Sequence, residues 1–300
     1  IVISGPTAVG KTAVGIEIAG RIGGEIISAD ARQVYAGMPI GTCAPIDEAI
    51  PHHLVGYLSP AERTTAFAWA KLAAEHLEDI YRRGKSAIIV GGTGLYIDAL
   101  TEGIFEAPAS DAAIRDSLYA RAENAEDLHA QLAEIDPTSA DRIHPNNLVR
   151  VIRALEVYYT SGKSLTENFE ATAVPAEGWK FAKFFLDMDR EALYARIEER
   201  TRALLSAGWI DEVRRLVLSG NSEDSPGMNA IGYREILRYL RGEITSEELA
   251  EEIARKTRNY AKRQITWFSN RGNFQRIDIT NTPPADCAES IISEVIDFSR

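Results

Sequence analysis

Apolar positions fall along this chain in two rhythms. Short unbroken runs at 1–4, 25–28, 86–90 and 181–186 read as strands buried on both faces. Between them the spacing lengthens. Val14, Ile16, Ile18 and Ile22 ride a helix that opens near Lys11 and stops at Gly23-Gly24. Phe67, Trp69, Leu72, Leu77 and Ile80 mark a second helix over 66–81, ended by Arg83-Gly84-Lys85. Strand, helix, strand, helix, strand predicts a parallel α/β sheet with right-handed crossovers. After Pro108 the texture changes: 111–122, 125–135 and 148–160 are helical and rich in charge, with no strong strand among them. Helical periodicity returns over 189–219 and 246–268, Ile277-Asp278-Ile279 reads as a last strand, and 281–300 as a short terminal helix. The predicted organisation is an α/β core over 1–110 and 178–300, interrupted by a helical insert at 111–177 with a hinge near Ala107-Pro108-Ala109.

Three hundred residues suit one large domain or two ordinary ones. With 33 basic against 44 acidic side chains the net charge is −11, so any nucleic-acid binding needs a local basic patch on an acidic background. Two cysteines, Cys43 and Cys287, make neither a disulfide framework nor a four-ligand zinc site, and His52-His53 are adjacent and point apart. That composition fits a reducing compartment, so a cytoplasmic protein is expected, with a monomer as the default. No apolar run reaches the ~20 residues of a membrane helix. The opening Ile1-Val2-Ile3 reads as a core strand rather than a signal peptide, with a trimmed native N-terminus.

Gly5-Pro6-Thr7-Ala8-Val9-Gly10-Lys11-Thr12 satisfies G-x-x-x-x-G-K-[ST] at every fixed position, after a strand and before a helix. The glycines permit turns that a Cβ would obstruct. Successive N–H groups then cradle phosphate oxygens, and the helix N-terminus faces the same anion. Lys11 adds a full charge, and the Thr12 hydroxyl can ligate Mg²⁺. Most such loops hold ATP or GTP and are accompanied by a carboxylate at the end of a later strand. Here that strand ends in Gly91-Gly92-Thr93-Gly94, and the acidic residue, Asp30, ends the second strand instead. Asp30, Thr93 and the loop are expected in one crevice beyond the strand ends. On spacing alone Asp30 could equally cap a helix, and Thr93 could be a turn hydroxyl.

The chain resembles the tRNA dimethylallyltransferases, also called tRNA isopentenyltransferases, of bacterial type. The resemblance is carried by the phosphate loop and by Ser28-Ala29-Asp30-Ala31-Arg32-Gln33-Val34-Tyr35 and Gly91-Gly92-Thr93-Gly94-Leu95-Tyr96. Further on it is carried by Arg142-Ile143-His144-Pro145-Asn146-Asn147, Arg153-Ala154-Leu155-Glu156-Val157 and Ala230-Ile231-Gly232-Tyr233. Tyr260-Ala261-Lys262-Arg263-Gln264 with Thr266-Trp267-Phe268 completes it, in family order to about residue 270. It implies a P-loop NTPase-like core with an inserted helical domain. It also implies transfer of a dimethylallyl group from dimethylallyl pyrophosphate to N6 of the adenosine 3′ of the anticodon, releasing pyrophosphate, with Mg²⁺ as cofactor.

On that resemblance the loop from Gly5 through Pro6, Thr7, Ala8, Val9 and Gly10 to Lys11 and Thr12 holds pyrophosphate, with Arg196 and Arg200 as a second clamp. Asp30 is the general base, Thr93 helps place the amine, and Lys11 and Thr12 complete the catalytic set. The anticodon stem-loop of tRNA is met by Asp30, Ala31, Arg32, Gln33, Thr93 and Arg115. The run Val149, Arg150, Val151, Ile152 and Arg153 joins them, as does the segment Asn229, Ala230, Ile231, Gly232, Tyr233 and Arg234. No obligate protein partner is implied. Two departures stand out: Ala31 replaces the usual Ser, and Gly56 stands where Asp is frequent.

Two local patterns keep their alternatives. Arg196 and Arg200, four apart, could instead form a solvated face paired with Glu199 or Asp189. Arg255, Lys256, Arg258, Lys262 and Arg263 with Tyr260, Trp267 and Phe268 could track RNA, or form an amphipathic helix whose aromatics are core. The competing functions are a free-adenylate isopentenyltransferase, a P-loop nucleotide kinase or NTPase, and an RNA-binding protein with a degenerate site.

Overall fold

The computed structural model describes residues 1–45, 49–108, 111–121, 125–170 and 172–298; Ala109 of the expected hinge lies outside them. Six strands form one sheet: β1 (Val2–Ser4), β2 (Glu25–Ser28), β3 (His52–His53), β4 (Ala87–Val90), β5 (Lys183–Asp187) and β6 (Gln275–Asp278). Their spatial order is β3-β2-β4-β1-β5-β6, and every pairing is parallel. Ile3 sits opposite Val90 on one side and Phe184 on the other. This is why the β1 run is apolar without alternation: it is flanked by strands and covered on both faces. The chain leaves β1 toward β2 and β3 and later returns to β5 and β6 on the opposite flank. β1 is therefore a switch point, the place where open α/β sheets hold ligands beyond their carboxyl ends.

Helix α1 (Lys11–Ile22) buries Val14, Ile18 and Ala19, and ends at Gly23 in the left-handed region. After α2 (Pro39–Thr42), α3 (Ala66–Arg82) starts where Thr65 accepts from Ala68 N at 3.1 Å, and buries Trp69, Leu77 and Ile80. α4 (Gly94–Thr101) follows β4 directly.

The chain divides into two compact units, Ile1–Thr101 with Gly178–Arg300, and Glu102–Glu177. The first edge falls where α4 ends, at Thr101, whereas the sequence reading set it at residue 110. The second unit contains α5 (Ala112–Ala120), α6 (Ala125–Ile135), α7 (Pro137–Arg142), α8 (Leu148–Ser161) and α9 (Leu165–Glu170). Leu118, Leu128, Leu132, Val151, Ile152 and Leu155 form its own core. Buried Asp136 caps α7 by accepting from Ser139 N at 3.0 Å, and takes the Thr166 hydroxyl of α9 at 2.6 Å.

The first unit then resumes with α10 (Arg190–Ser206), α11 (Trp209–Leu218), α12 (Tyr233–Leu240), α13 (Ser246–Ser269) and α14 (Pro284–Phe298). α10 and α11 are parted by Gly208 at φ +97°. β3 and the exact place of β6 escape the sequence pattern. β3 is two residues long, and Gln275–Asp278 is a polar, largely exposed edge.

Candidate active site

The phosphate loop joins β1 to α1. Gly10 caps the helix at φ +115°, a conformation that a side chain resists, and Ala8 holds φ +67° despite its Cβ. Lys11 folds over the loop, its Nζ donating to Pro6 O at 2.8 Å and Gly5 O at 3.0 Å. Burial pushes its ammonium down to about 8; the charge of Asp30 opposes that shift and Arg200 adds to it. Gly5, Pro6 and Val9 are buried behind the loop, and Thr7, Ala8, Gly10, Lys11 and Thr12 line a cleft of about 760 Å³.

α10 brings two arginines to the same loop. Arg196 Nη1 donates to Val9 O at 3.3 Å, and Arg200 reaches the Thr7 hydroxyl at 3.5 Å and the Cys43 sulfur at 3.2 Å. The i, i+4 pair thus faces the phosphate loop. Asp189, the other partner considered, caps α10 by accepting from Glu191 N and Ala192 N.

Asp30 follows β2 and lines the cleft. It caps no helix: its Oδ1 accepts from Arg32 N at 2.8 Å, closing an Asx turn. Thr93 holds that turn in place. Its hydroxyl accepts from Ala31 N at 2.9 Å, and its own N–H donates to Ala29 O at 3.1 Å. The two strand ends touch so closely that a Cβ on Gly91 would stand 2.0 Å from Ala29 O. Gln33 faces inward, accepting from the Ser28 hydroxyl at 2.8 Å and donating to Cys43 O at 3.0 Å. Lys11, Thr12, Ser28, Asp30 and Gln33 border a small adjoining cavity of about 30 Å³.

The remaining walls come from residues distant in sequence. Asn229, Ala230 and Ile231 line the cleft, as do Cys43 and Trp209. One face of α13 contributes Ile253, Thr257, Tyr260 and Gln264 at alternating helical spacings. That spacing was the signal available in sequence for a cleft-facing helix. Tyr260 adjoins Thr93 and Asp30, and burial raises its phenol to about 12. Gln264, only 5% exposed, accepts from Thr7 N at 2.7 Å and donates to Gly92 O at 2.9 Å. Trp267 packs against Gly94, where a Cβ would meet its ring at 2.3 Å, and Phe268 is core against Phe185 and Phe274. The α13 cations are largely engaged: Lys256 with Glu235 and Glu252, Arg258 with Glu198. Only Arg263 among the five borders the cleft.

Several residues predicted to touch RNA are structural. Tyr233 is fully buried, donating its hydroxyl to Glu212 at 2.7 Å, and Gly232 lies beneath the Trp209 ring. In the helical unit Val151 and Ile152 are core. These side chains support a surface and do not form one. Val149, Arg150 and Arg234 are exposed, whereas Arg115 and Arg153 both pair with buried Glu156 at 2.9 Å.

Residues 33–271 match the profile of the IPP transferase family. A tRNA dimethylallyltransferase of Geobacter metallireducens is 44% identical over 303 residues, covering 99% of this chain and 96% of that protein. This chain belongs to the IPP transferase family. The full-length tRNA isopentenylpyrophosphate transferase of Bacillus halodurans superposes with TM-score 0.72 at 36% identity, covering 99% of this chain and 95% of the other. A eukaryotic dimethylallyltransferase, solved acting on tRNA, gives TM-score 0.81 at 29% identity, over 99% of this chain and 78% of that one. In this IPP transferase the family profile begins at Gln33 and leaves the phosphate loop outside. The Geobacter alignment omits no stretch long enough to contain that loop.

Proposed function

We propose that this IPP transferase moves a dimethylallyl group from dimethylallyl pyrophosphate to N6 of the adenosine 3′ of the anticodon in tRNA, releasing pyrophosphate. The observation that carries the reading is the shared cleft. A phosphate loop, two arginines and an Asp30 carboxylate face one space. The late-strand carboxylate usual in nucleotide hydrolysis is replaced by Gly91-Gly92 at the end of β4.

In the reaction the bond from C1 of the donor to the pyrophosphate oxygen breaks, and the leaving group keeps the electron pair. N6 forms the new bond to C1, and its proton passes to the Asp30 carboxylate. Negative charge grows on the departing diphosphate. Lys11, Arg196 and Arg200 therefore bind the transition state better than the ground state. Thr93 keeps the Asp30 turn from drifting, because its hydroxyl holds Ala31 N. The Thr12 hydroxyl, at the small cavity, would hold Mg²⁺ together with the diphosphate oxygens, and the ion would share the diphosphate charge there. Exposed Arg32, Asn229 and Arg234 in the α/β unit, and Val149, Arg150, Arg115 and Arg153 in the helical unit, are the tRNA-facing residues of this reading.

The test is incubation with labelled dimethylallyl pyrophosphate and undermodified tRNA, with label recovered in tRNA. Label appearing only in AMP would make the protein an adenylate isopentenyltransferase. Steady ATP hydrolysis with no prenyl transfer would make it a nucleotide-using P-loop enzyme.

A further inference from the structure

Three loops meet at the carboxyl edge of the sheet: the phosphate loop, the turn after β2, and the Gly91–Gly94 segment after β4. Thr93 stitches the second to the third, its N–H donating to Ala29 O at 3.1 Å and its hydroxyl accepting from Ala31 N at 2.9 Å. The phosphate loop is joined to the third loop by a side chain from elsewhere, Gln264 of α13.

The orientation of this amide is dictated by its partners. Thr7 N–H can only donate, so it requires the carbonyl oxygen. Gly92 C=O can only accept, so it requires the nitrogen. No ionised side chain offers both at once, and serine and threonine hydroxyls are too short to span the two loops. The fit is tight as well as directional: a Cβ on Gly92 would stand 2.2 Å from Gln264 Nε2. The bridge also selects which loop amides point at the anion. Thr7 N–H is turned to Gln264, leaving the phosphate-facing work to the amides nearer Gly10 and the α1 N-terminus.

We infer that Gln264 is a positioning residue for prenyl transfer, setting the distance between the diphosphate cradle and the Asp30–Thr93 pair that receives the amine. The inference rests on the prenyl-transfer reading above. In-line displacement makes that distance matter. The cradle holds the leaving oxygen and the pair holds the attacking nitrogen, so the bridge spans the two ends of the reacting line. A displacement of about 1 Å across it is enough to cost about 10²-fold in rate.

The experiment compares Gln264→Met and Gln264→Glu with the wild type. Gln264→Met keeps the length and loses both hydrogen bonds. It should lower kcat by roughly 10–100-fold while the KM for tRNA changes little. Gln264→Glu regains the donor only when its carboxyl is protonated, so its rate relative to wild type should rise as pH falls from 8 to 6. The Gln264→Met ratio should stay flat over the same range. A merely structural role would lower the melting temperature without that pH-dependent rescue. Amide hydrogen exchange at Thr7 reads the bridge with no substrate present and should accelerate in Gln264→Met but not in Gln264→Glu, whose carboxylate still accepts from Thr7 N. If Gln264→Met does not fold, Gly92→Ala displaces the same amide from the other side and should reproduce the kcat loss.

Wild-type kcat in folded Gln264→Met, or parallel pH profiles for the two variants, would overturn the inference. Wild-type protein without prenyl transfer would instead end the underlying reading. Unchanged exchange at Thr7 in Gln264→Met would then reject the bridge as well.

Discussion

The Nε of Arg200 lies 3.2 Å from the sulfur of Cys43, across the cleft wall from the phosphate loop. Cys287, the other thiol, is 1% exposed and packed in the core beside Ile291. One thiol is therefore accessible in the folded protein. Treatment with iodoacetamide should modify Cys43 alone, as read by peptide mass. Inorganic pyrophosphate, by drawing Arg200 to the anion and filling the cleft, should slow the reaction. Equal labelling of both thiols, or no protection, would contradict this placement.

Asp30→Ala should reduce turnover by roughly 10²–10⁴, the usual range for losing a general base. Binding of tRNA should be affected far less, because only one side chain of a broad surface is changed. Single-turnover prenyl transfer and a filter-binding titration separate the two effects.

Lys11 gives a pH dependence to donor binding. Burial lowers its ammonium to about 8, and a diphosphate prefers the charged form. Below pH 8 the charge is already present. Above it a proton must be taken up on binding, so affinity should fall by up to about tenfold per pH unit. Calorimetry in buffers of different ionisation enthalpy should show that uptake at pH 8.5, and Lys11→Met should abolish it.

The Glu212–Tyr233 pair underlies one wall of the cleft. Glu212 accepts from Ile40 N at 2.7 Å, Gly41 N at 3.0 Å and the Tyr233 hydroxyl at 2.7 Å, all largely shielded from water. Tyr233→Phe removes one of these bonds and should cost about 1 kcal/mol. Glu212→Ala strands three donors and should cost about 3 kcal/mol or more, read by urea unfolding.

Glu25 predicts sensitivity to acid. Its carboxylate is 2% exposed and meets Arg83, Lys85 at 2.7 Å and His53 at 2.8 Å, and hydrogen bonding to Arg83 leads in holding it well below the ordinary carboxylate range. A carboxyl depressed in the folded state stabilises the fold fully above its unfolded value near 4.5, and that contribution is lost as pH falls below it. Wild-type stability should drop below pH 4.5, more steeply than that of Glu25→Gln, in thermal melts from pH 6 to 3.

The sheet was legible wherever strands are buried on both faces, because Val2, Ile3, Ile88 and Ile89 leave no other reading for their runs. β3 was not, since two histidines carry no period, and polar β6 carries almost none. The chemistry divided the same way. Lys11 sits in a motif whose spacing points it at an anion, Asp30 ends a strand at the crevice, and the i, i+4 spacing of Arg196 and Arg200 puts both on one helix face. Gln264, Glu212 and Trp209 contribute through partners about 170 or more residues away in two cases, as with Ile40 for Glu212, and no local pattern encodes such a meeting. Tyr233 shows the converse. Its segment resembles a contact surface, yet packing takes the ring inside.

The strand that delivers Asp30 is tethered at both extremities. At its amino end Glu25 is held by Arg83, Lys85 and His53, and at its carboxyl end Ala29 is pinned to Val90 and Thr93. A strand so fastened fixes the backbone position from which the carboxylate projects. On the proposed reading, the nucleobase is then brought to a carboxylate whose strand is fastened in advance of its arrival.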